Sequence, residues 1–329
     1  MNNQSVSIAV CSKGRGEELR RLVQILQDTP EKPSLSFFEI VIIEAADDEL
    51  GSINGVEYEA VDKAQGFGFM RQRAVLKAQG DIIVFIDDDC IPCSGWLSYL
   101  LSPFEDDKVV GVGGGFIPQQ GNAVAYATSL LGLPGGGFQR LTGLQGKQEK
   151  TRNLSNGSLA ILRQSILDIG GYNVDLHQGG EDSDLIARLN GVTIFEPKGL
   201  VAHRNREGWL EVWQWFFRRG SAVAQCYVAG SGWSLKRSGV VKCSGIIVLF
   251  VLLPLWFAAA LFVAYYSYNI FRTYLGNSPA IQSSEVAEQA RTTALRSGAL
   301  FVAPALRLWM DTAFDFGYWN KKMKLKEGK

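Results

Sequence analysis

Three consecutive aspartates, Asp87, Asp88 and Asp89, end the stretch DIIVFIDDDCIP. Carboxylates crowded together repel one another unless a cation sits among them. In an extended chain, side chains two apart point the same way. Asp87 and Asp89 are therefore spaced to share one hard, oxygen-seeking divalent ion, Mg2+ or Mn2+. A solvated acidic turn is the plainer alternative, but no basic residue stands nearby in sequence to neutralise the cluster.

The elements that must position these carboxylates follow from the apolar pattern. Residues 82–86 are apolar and mostly β-branched, which predicts a strand buried on both faces. The aspartates then stand at its C-terminal end, where open parallel sheets place their ligands. Residues 6–11 (VSIAVC) predict a first strand and 17–27 a helix, with apolar Leu19, Leu22, Val23, Ile25 and Leu26, ended by Pro30 and Pro33. The loop between them, Ser12-Lys13-Gly14-Arg15-Gly16, is neither a P-loop nor GxGxxG. A glycine-containing strand-to-helix loop with two cations still suits a phosphate.

Residues 38–43 predict a second strand closed by Glu44 and followed by Asp47, Asp48 and Glu49; residues 58–61 predict a third. A helix over 69–79 carries Arg71 and Arg73 in its first turns. Strands alternating with helices predict an α/β fold with a mostly parallel central sheet flanked by helices. Further on, the pattern predicts a helix over 96–101 and strands over 109–112, 192–195 and 200–203, the last ending in His203. Residues 119–152, rich in Gly and Gln, read as a mobile segment, either a lid or acceptor loop or a disordered insert. A helix over 164–169 is capped by Gly170 and Gly171. Glu181-Asp182-Ser183-Asp184 opens another helix; acidic residues there are ordinary capping chemistry. Asp184 and Arg188, four apart, predict a surface pair, and His177 lies in the preceding loop.

The chain has 329 residues, with 33 basic and 33 acidic side chains, so composition makes no case for nucleic-acid binding. Five scattered cysteines argue against a disulfide framework and for a reducing compartment. Cys90 and Cys93 form CxxC, half a zinc site with no second pair. The N-terminal stretch is expected to be a strand rather than a secretory leader.

The motifs VSIAVCSKGR, FEIVIIE, GFGFMRQRAVLKAQGDIIVFIDDDCIP, NGSLAILRQSILDIGGYN, GGEDSDLIARL and VAHRN, spread over about residues 5–205, together resemble the family 2 glycosyltransferases with the A-type nucleotide-sugar fold. The resemblance implies a nucleoside-diphosphate sugar donor, held through a divalent metal by Asp87 and Asp89 with His203 joining the metal or diphosphate. It implies donor contacts from Ser12, Arg15, Arg71 and Asp88, and a base contact from Glu44. It implies Asp182 as catalytic base, with Glu181 as rival. A single displacement with a base and no protein nucleophile predicts inversion at the anomeric carbon. The Gln-x-x-Arg-Trp motif of processive synthases is absent, and WQWFFRRG is only a loose likeness, so processive synthesis is not implied. The alternatives are a catalytically inactive nucleotide-binding membrane scaffold and a nucleotidyltransferase.

The last third reads differently. Residues 210–229 predict a helix with Trp213, Phe216 and Phe217 on its apolar face, either a core helix or, given Trp209, Trp215, Arg218 and Arg219, an interfacial one. No charged residue occurs from Cys243 to Phe271. Residues 245–266 are long enough to cross a bilayer, and 298–319 form a weaker apolar segment. Lys236, Arg237 and Lys242 before the run, and a basic tail after it, place the catalytic side in the cytoplasm. Pro254 permits a kink or a re-entrant hairpin. The expected organisation is a catalytic domain over 1–230 and a membrane-attachment region over 240–329. The expected partners are a nucleoside-diphosphate sugar, a glycan or lipid-linked acceptor, and a membrane.

Overall fold

The computed structural model describes residues 4–30, 34–45, 54–177, 179–225 and 238–327. Asp47, Asp48, Glu49, Cys226, Lys236 and Arg237 lie outside them. The chain divides into two units, residues 1–116 with 146–203, and residues 117–145 with 204–329.

The first unit is built on one mixed sheet. β1 (Ser5–Ser12), β2 (Phe37–Ala45), β3 (Glu57–Val61) and β4 (Ile82–Asp87) are parallel, and their helical crossovers include α1 (Gly16–Gln27) and α2 (Phe67–Lys77). The runs of Val and Ile in β1, β2 and β4 are buried on both faces, as the sequence pattern requires. α1 buries Leu19, Leu22, Val23 and Leu26 against this core.

Beyond β4 the sheet reverses. β5 (Cys90–Pro92), α3 (Trp96–Leu101) and the long strand β6 (Val109–Pro118) follow in the chain. The strand order is β3-β2-β1-β4-β8-β6-β9-β5, where β8 is Ser158–Leu162 and β9 is Val192–His203, with β7 (Glu149–Lys150) pairing β9. β8 lies antiparallel to both β4 and β6, and β5 and β7 lie antiparallel to β9. The sheet is therefore mixed rather than mostly parallel throughout: the first four strands pair in parallel, β8 reverses against them, and β6, antiparallel to β8, runs again in the direction of β4. The antiparallel pairings join segments far apart in sequence, and no local pattern announces them. The strands expected over 192–195 and 200–203 are one strand, β9.

The second unit is helical. Residues 119–152, expected to be mobile, hold α4 (Ala123–Leu130) and α5 (Gly137–Leu144) before β7. Asn122 caps α4, its Oδ1 accepting from the Val124 and Ala125 amides at 2.9 and 3.2 Å. Apolar Ala127, Leu130, Phe138 and Leu141 are buried, which is why these turns are ordered despite their glycines. In the first unit, α6 (Arg163–Asp168) precedes the second acidic motif, which opens α7 (Glu181–Arg188).

The remaining helices of the second unit are α8 (Trp209–Gln225), α9 (Gly239–Leu252), α10 (Leu255–Asn277), α11 (Glu285–Arg296) and α12 (Ala299–Glu327). α8 and α12 cross in near backbone contact. A Cβ on Gly317 would meet the Phe217 carbonyl, and one on Gly220 would meet that of Phe314.

The apolar run 245–266 does not form the single spanning helix expected from its length. Pro254, which has no amide donor and cannot continue a helix inward, divides it between α9 and α10. The segment 298–319 lies in α12, which carries Arg307, Asp311 and Asp315. Among the described residues, no helix is long and apolar enough to cross a membrane.

Glu288 ties the start of α11 to the chain before it. Its Oε2 accepts from the Ile281 amide at 2.7 Å and from Arg291 Nε at 2.8 Å. The Arg291 hydrogen bond beside it pulls the Glu288 carboxyl down to about 2 from an ordinary 4.5. A depressed carboxyl stabilises the fold above its unfolded pKa and loses that contribution as pH falls through the folded one. With Glu288 32% exposed, solvent limits the effect. Glu288→Gln is expected to cost about 1 kcal/mol at pH 7 and nothing near pH 2. Chemical denaturation at both pH values checks this; an equal cost at pH 2 would mean that shape, not charge, matters there.

Candidate active site

Strand register builds the floor of the site. Ser12 of β1 stands opposite Glu44 of β2, and Cys11 opposite Asp87 of β4. The C-terminal ends of three parallel strands thus form one row, with Asp87 at the end of β4 and Asp88 and Asp89 in the turn after it. β8 approaches from the other side, pairing Ile86 with Ser158. Gly157, just before β8, has no room for a side chain: a Cβ there would lie 2.9 Å from Asp87 Oδ2. At the far end of the sheet, β5 pairs with β9 so that Cys90 stands opposite His203.

The carboxylates are held by two arginines distant in sequence. Arg15 Nη1, from the loop after β1, lies 2.7 Å from Asp88 Oδ1 and 2.7 Å from Asp89 Oδ2. Ser12 Oγ donates to the other Asp88 oxygen at 2.7 Å. Arg71, buried on α2, donates through Nη2 to Asp87 Oδ1 at 3.1 Å and through Nη1 to Glu181 Oε1. Arg71 thus ties the first acidic motif to the second. Its guanidinium also lies over the Phe67 ring, at 5.2 Å, and Lys13 Nζ lies 5.3 Å from the same ring.

These pairings set the protonation balance. Burial works to lower the pKa of Arg71, but Glu181 and Asp87 outweigh it and raise it. Burial likewise works against charge on Arg15, and Asp88 and Asp89 overcome it. Burial pushes Asp88 up to about 6, with Arg15 opposing and Asp89 adding repulsion. Burial raises Glu181 too, and Arg71 only partly offsets it.

Glu181 and Asp182 are neighbours in unlike settings. Glu181 is buried and bound to Arg71; among the described residues its Oε2 has no hydrogen-bond partner. Asp182, in the same first turn of α7, is partly exposed. Its Oδ1 accepts from the Ser183 amide at 2.7 Å. A carboxylate with one oxygen anchored and access to solvent can take a proton from a bound hydroxyl, given a reactant within reach.

His203 Nε2 lies 3.6 Å from Asp89 Oδ1, and its ring meets Phe116 edge to face. Atoms of Asp89, Cys90 and His203 lie within 4.8 Å of one another, a set able to hold a metal ion. Four carboxylates (Asp87, Asp88, Asp89 and Glu181) share two guanidiniums, an excess of acidic groups that fits a divalent cation. Oxygen from Asp89 and nitrogen from His203 suit Mn2+; the soft sulfur of Cys90 does not. Burial raises the Cys90 thiol well above its usual range and Cys93 to about 11, and both cysteines are free, so neither is a reactive thiolate at neutral pH.

The structure therefore gathers Ser12, Arg15, Arg71, Asp87, Asp88, Asp89, Glu181, Asp182 and His203, while Asp87 stands outside the metal-capable group, drawn to Arg71. Glu44 is buried and its Oε2 accepts from Tyr58 Oη at 2.8 Å. The strand pattern places Tyr58 but carries no sign of this contact. Arg188, expected in a surface pair, does hold Asp184 at 2.7 Å, but also donates to the carbonyls of Ile169 and Gly171 and so ties α7 to the turn that ends α6. Nothing in its spacing signals that second role. In the helical unit Arg219 lies over the rings of Trp215 and Phe216.

Comparison with known proteins follows the same lines. Residues 7–169 match the profile described as Glycosyl transferase family 2. The chain is 25% identical over 251 residues to the glucosyl-dolichyl phosphate glucuronosyltransferase of Haloferax volcanii, covering 65% of this chain and 76% of that protein. It is 25% identical over 217 residues to the pre-mycofactocin glycosyltransferase of Mycobacterium tuberculosis, covering 62% of this chain and 44% of the relative, and so spans less than half of that protein's length. The mannosyltransferase PcManGT of Pyrobaculum calidifontis, solved in complex with GDP-Man and Mn2+, superposes with a TM-score of 0.54 at 15% identity over 94% of this chain and 88% of its own. GalNAc-T7, solved with UDP, GalNAc and Mn2+, gives 0.52 at 18% identity over 70% and 49%. The shared fold is the glycosyltransferase A-type.

Proposed function

We propose that this chain, whose residues 7–169 match the Glycosyl transferase family 2 profile, moves a sugar from a nucleoside-diphosphate donor to a hydroxyl of a membrane-proximal or lipid-linked glycan, with inversion. The observation that carries the reading is the joining of two acidic motifs through Arg71, which sets a partly exposed Asp182 beside the strand-end aspartates. The named ligands of the fold's relatives, GDP-Man and UDP with Mn2+, agree with it.

In this reading Asp89 and His203 would hold a divalent cation, which when bound would neutralise charge on the leaving diphosphate. Arg15 turns from Asp88 and Asp89 toward the phosphates, and Glu44 accepts from the base. Asp182 takes the proton of the attacking hydroxyl. The new bond forms from that oxygen to the anomeric carbon as the bond to the diphosphate breaks, and the nucleoside diphosphate leaves with the electron pair. Glu181 positions rather than reacts, because its carboxylate is committed to Arg71. The acceptor class is supported by the dolichyl-linked substrate in the name of the Haloferax relative and by the apolar surface of α9 and α10. The basic residues around that run favour attachment at the cytoplasmic face.

The test is a thermal-shift panel of UDP- and GDP-sugars with Mn2+ or with chelator. A ligand that binds only the native state adds about 2.7 kcal/mol at a hundred times its Kd. The expected result is a rise in Tm with one donor class, lost in chelator and lost in Asp89→Asn. Pyrophosphate release instead of nucleoside-diphosphate release would favour the nucleotidyltransferase, and binding without any release the inactive scaffold.

A further inference from the structure

We infer that α9 and α10 form a hairpin that enters a single leaflet of a lipid bilayer, tip first, without crossing it. The inference rests on the membrane-proximal reading above and names the part of the chain that makes the contact.

The first observation is exposure without a polar face. Around the turn, Val251, Leu252, Leu255 and Trp256 are 75%, 74%, 73% and 74% exposed. Next to the turn the exposed apolar residues are consecutive, Phe250 to Leu252 on α9 and Leu255 to Phe257 on α10, rather than spaced as one stripe; Ala258 is buried. A helix seated on a partner protein has an apolar face and a polar back. Here Phe250 of one leg meets Phe262 of the other, and the surface left outside that contact is apolar without a polar back, which suits hydrocarbon.

The second observation is length. At the base of α9, Lys242 pairs with Asp311 at 2.5 Å and the Val240 amide donates to Asp315. At the base of α10's apolar half, the Tyr266 hydroxyl donates to the Phe301 carbonyl at 2.6 Å. Between these anchors the free legs run over residues 244–252 and 255–265. At 1.5 Å per residue each is roughly 15 Å long. That is about half of a hydrocarbon core of ~30 Å, or one leaflet. Both legs thus reach polar residues at the same depth, Lys242 on one and Tyr265, Tyr266 and Tyr268 on the other, where interfacial aromatics and cations belong.

The third observation is the turn. Backbone groups in hydrocarbon must be satisfied internally. Pro254 has no amide hydrogen, its carbonyl accepts from the Phe257 and Ala258 amides at 2.9 Å, and the Leu253 amide donates to Leu249 at 3.2 Å. Proline therefore turns the chain while removing a donor that lipid could not satisfy.

The experiment mixes the full-length protein with preformed vesicles of phosphatidylcholine and phosphatidylglycerol and floats them on a density gradient. Wild type is expected to float, and the double variant Leu252→Asp with Trp256→Asp to stay at the bottom. Depth is read from the fluorescence difference between wild type and Trp256→Phe: lipids brominated deep in the chains should quench Trp256 more than lipids brominated near the headgroup. Wild type that fails to float, or a charged-tip variant that floats equally well, would overturn the inference. So would quenching of Trp256 by a soluble quencher sealed inside the vesicles, which would mean crossing. Self-association abolished by the same substitutions, in a wild type that does not float, would assign the surface to a second copy of the chain. Nucleoside-diphosphate release measured on the same samples keeps the two readings apart. Release without flotation sinks the hairpin alone, and flotation without release sinks the transferase alone.

Discussion

Asp182→Asn is expected to lower turnover by about 10²- to 10⁴-fold, the usual worth of a positioned general base, while donor affinity stays within a few-fold of wild type. The reason is placement. Asp182 is partly exposed, makes no ion pair among the described residues, and anchors only its Oδ1. Exchanging one carboxylate oxygen for an amide nitrogen removes the basic oxygen and little else. Single-turnover rates with saturating donor, set beside donor titrations, separate the two effects. Glu181→Gln should behave in the opposite way, weakening the fold and the site's geometry through Arg71. If Asp182→Asn turned over normally and a folded Glu181→Gln did not, the two roles would have to be exchanged.

The second large effect concerns stability. Arg71→Leu should destabilise the native state by about 3–5 kcal/mol, because it strands a buried carboxylate without its cation. Glu181 is 5% exposed and Arg71 6%, so solvent offers Glu181 little replacement. The double variant Arg71→Leu with Glu181→Leu should recover part of the loss, since neither charge is then left alone in the interior. A denaturant-based double-mutant cycle measures the coupling. Strictly additive costs would mean that the guanidinium and the Glu181 carboxylate do not depend on each other, and the link between the two acidic motifs would lose its physical basis.

Much of the parallel half of the fold was legible because its strands are buried on both faces and read as unbroken apolar runs. β1, β2 and β4 each announce themselves in this way, and the residues closing them, Ser12, Glu44 and Asp87, could be picked out before any coordinates. The antiparallel half was not legible. β8 lies between β4 and β6 through partners many residues away, and the register that sets Cys90 opposite His203 has no local signature. The same holds for the charge pairs. Arg15 meets Asp88 across 73 positions and Arg71 meets Glu181 across 110. The aspartate cluster looked unneutralised in sequence for that reason alone. In residues 119–152 the glycines and glutamines mask the apolar positions that α4 and α5 bury, so the segment reads as mobile but folds as helix. The cap at Asn122 was a usable signal. In the apolar C-terminal run, length argued for a span and Pro254 against one, and the proline decided the helix boundaries.

The strand order also sets a schedule for the growing chain. β4 ends at Asp87, but the strand that covers its open edge, β8, begins only at Ser158. At ribosomal speeds of ~5–20 residues per second, the roughly 70 intervening residues take about 4–14 s to emerge. For that time the nascent chain carries a strand apolar from Ile82 to Ile86 whose free edge can pair with another. β6, which appears first, occupies a place one strand further out and leaves the gap that β8 later fills. Synthesis of this fold therefore passes through a period of exposure to strand mispairing, ended when residues 158–162 arrive.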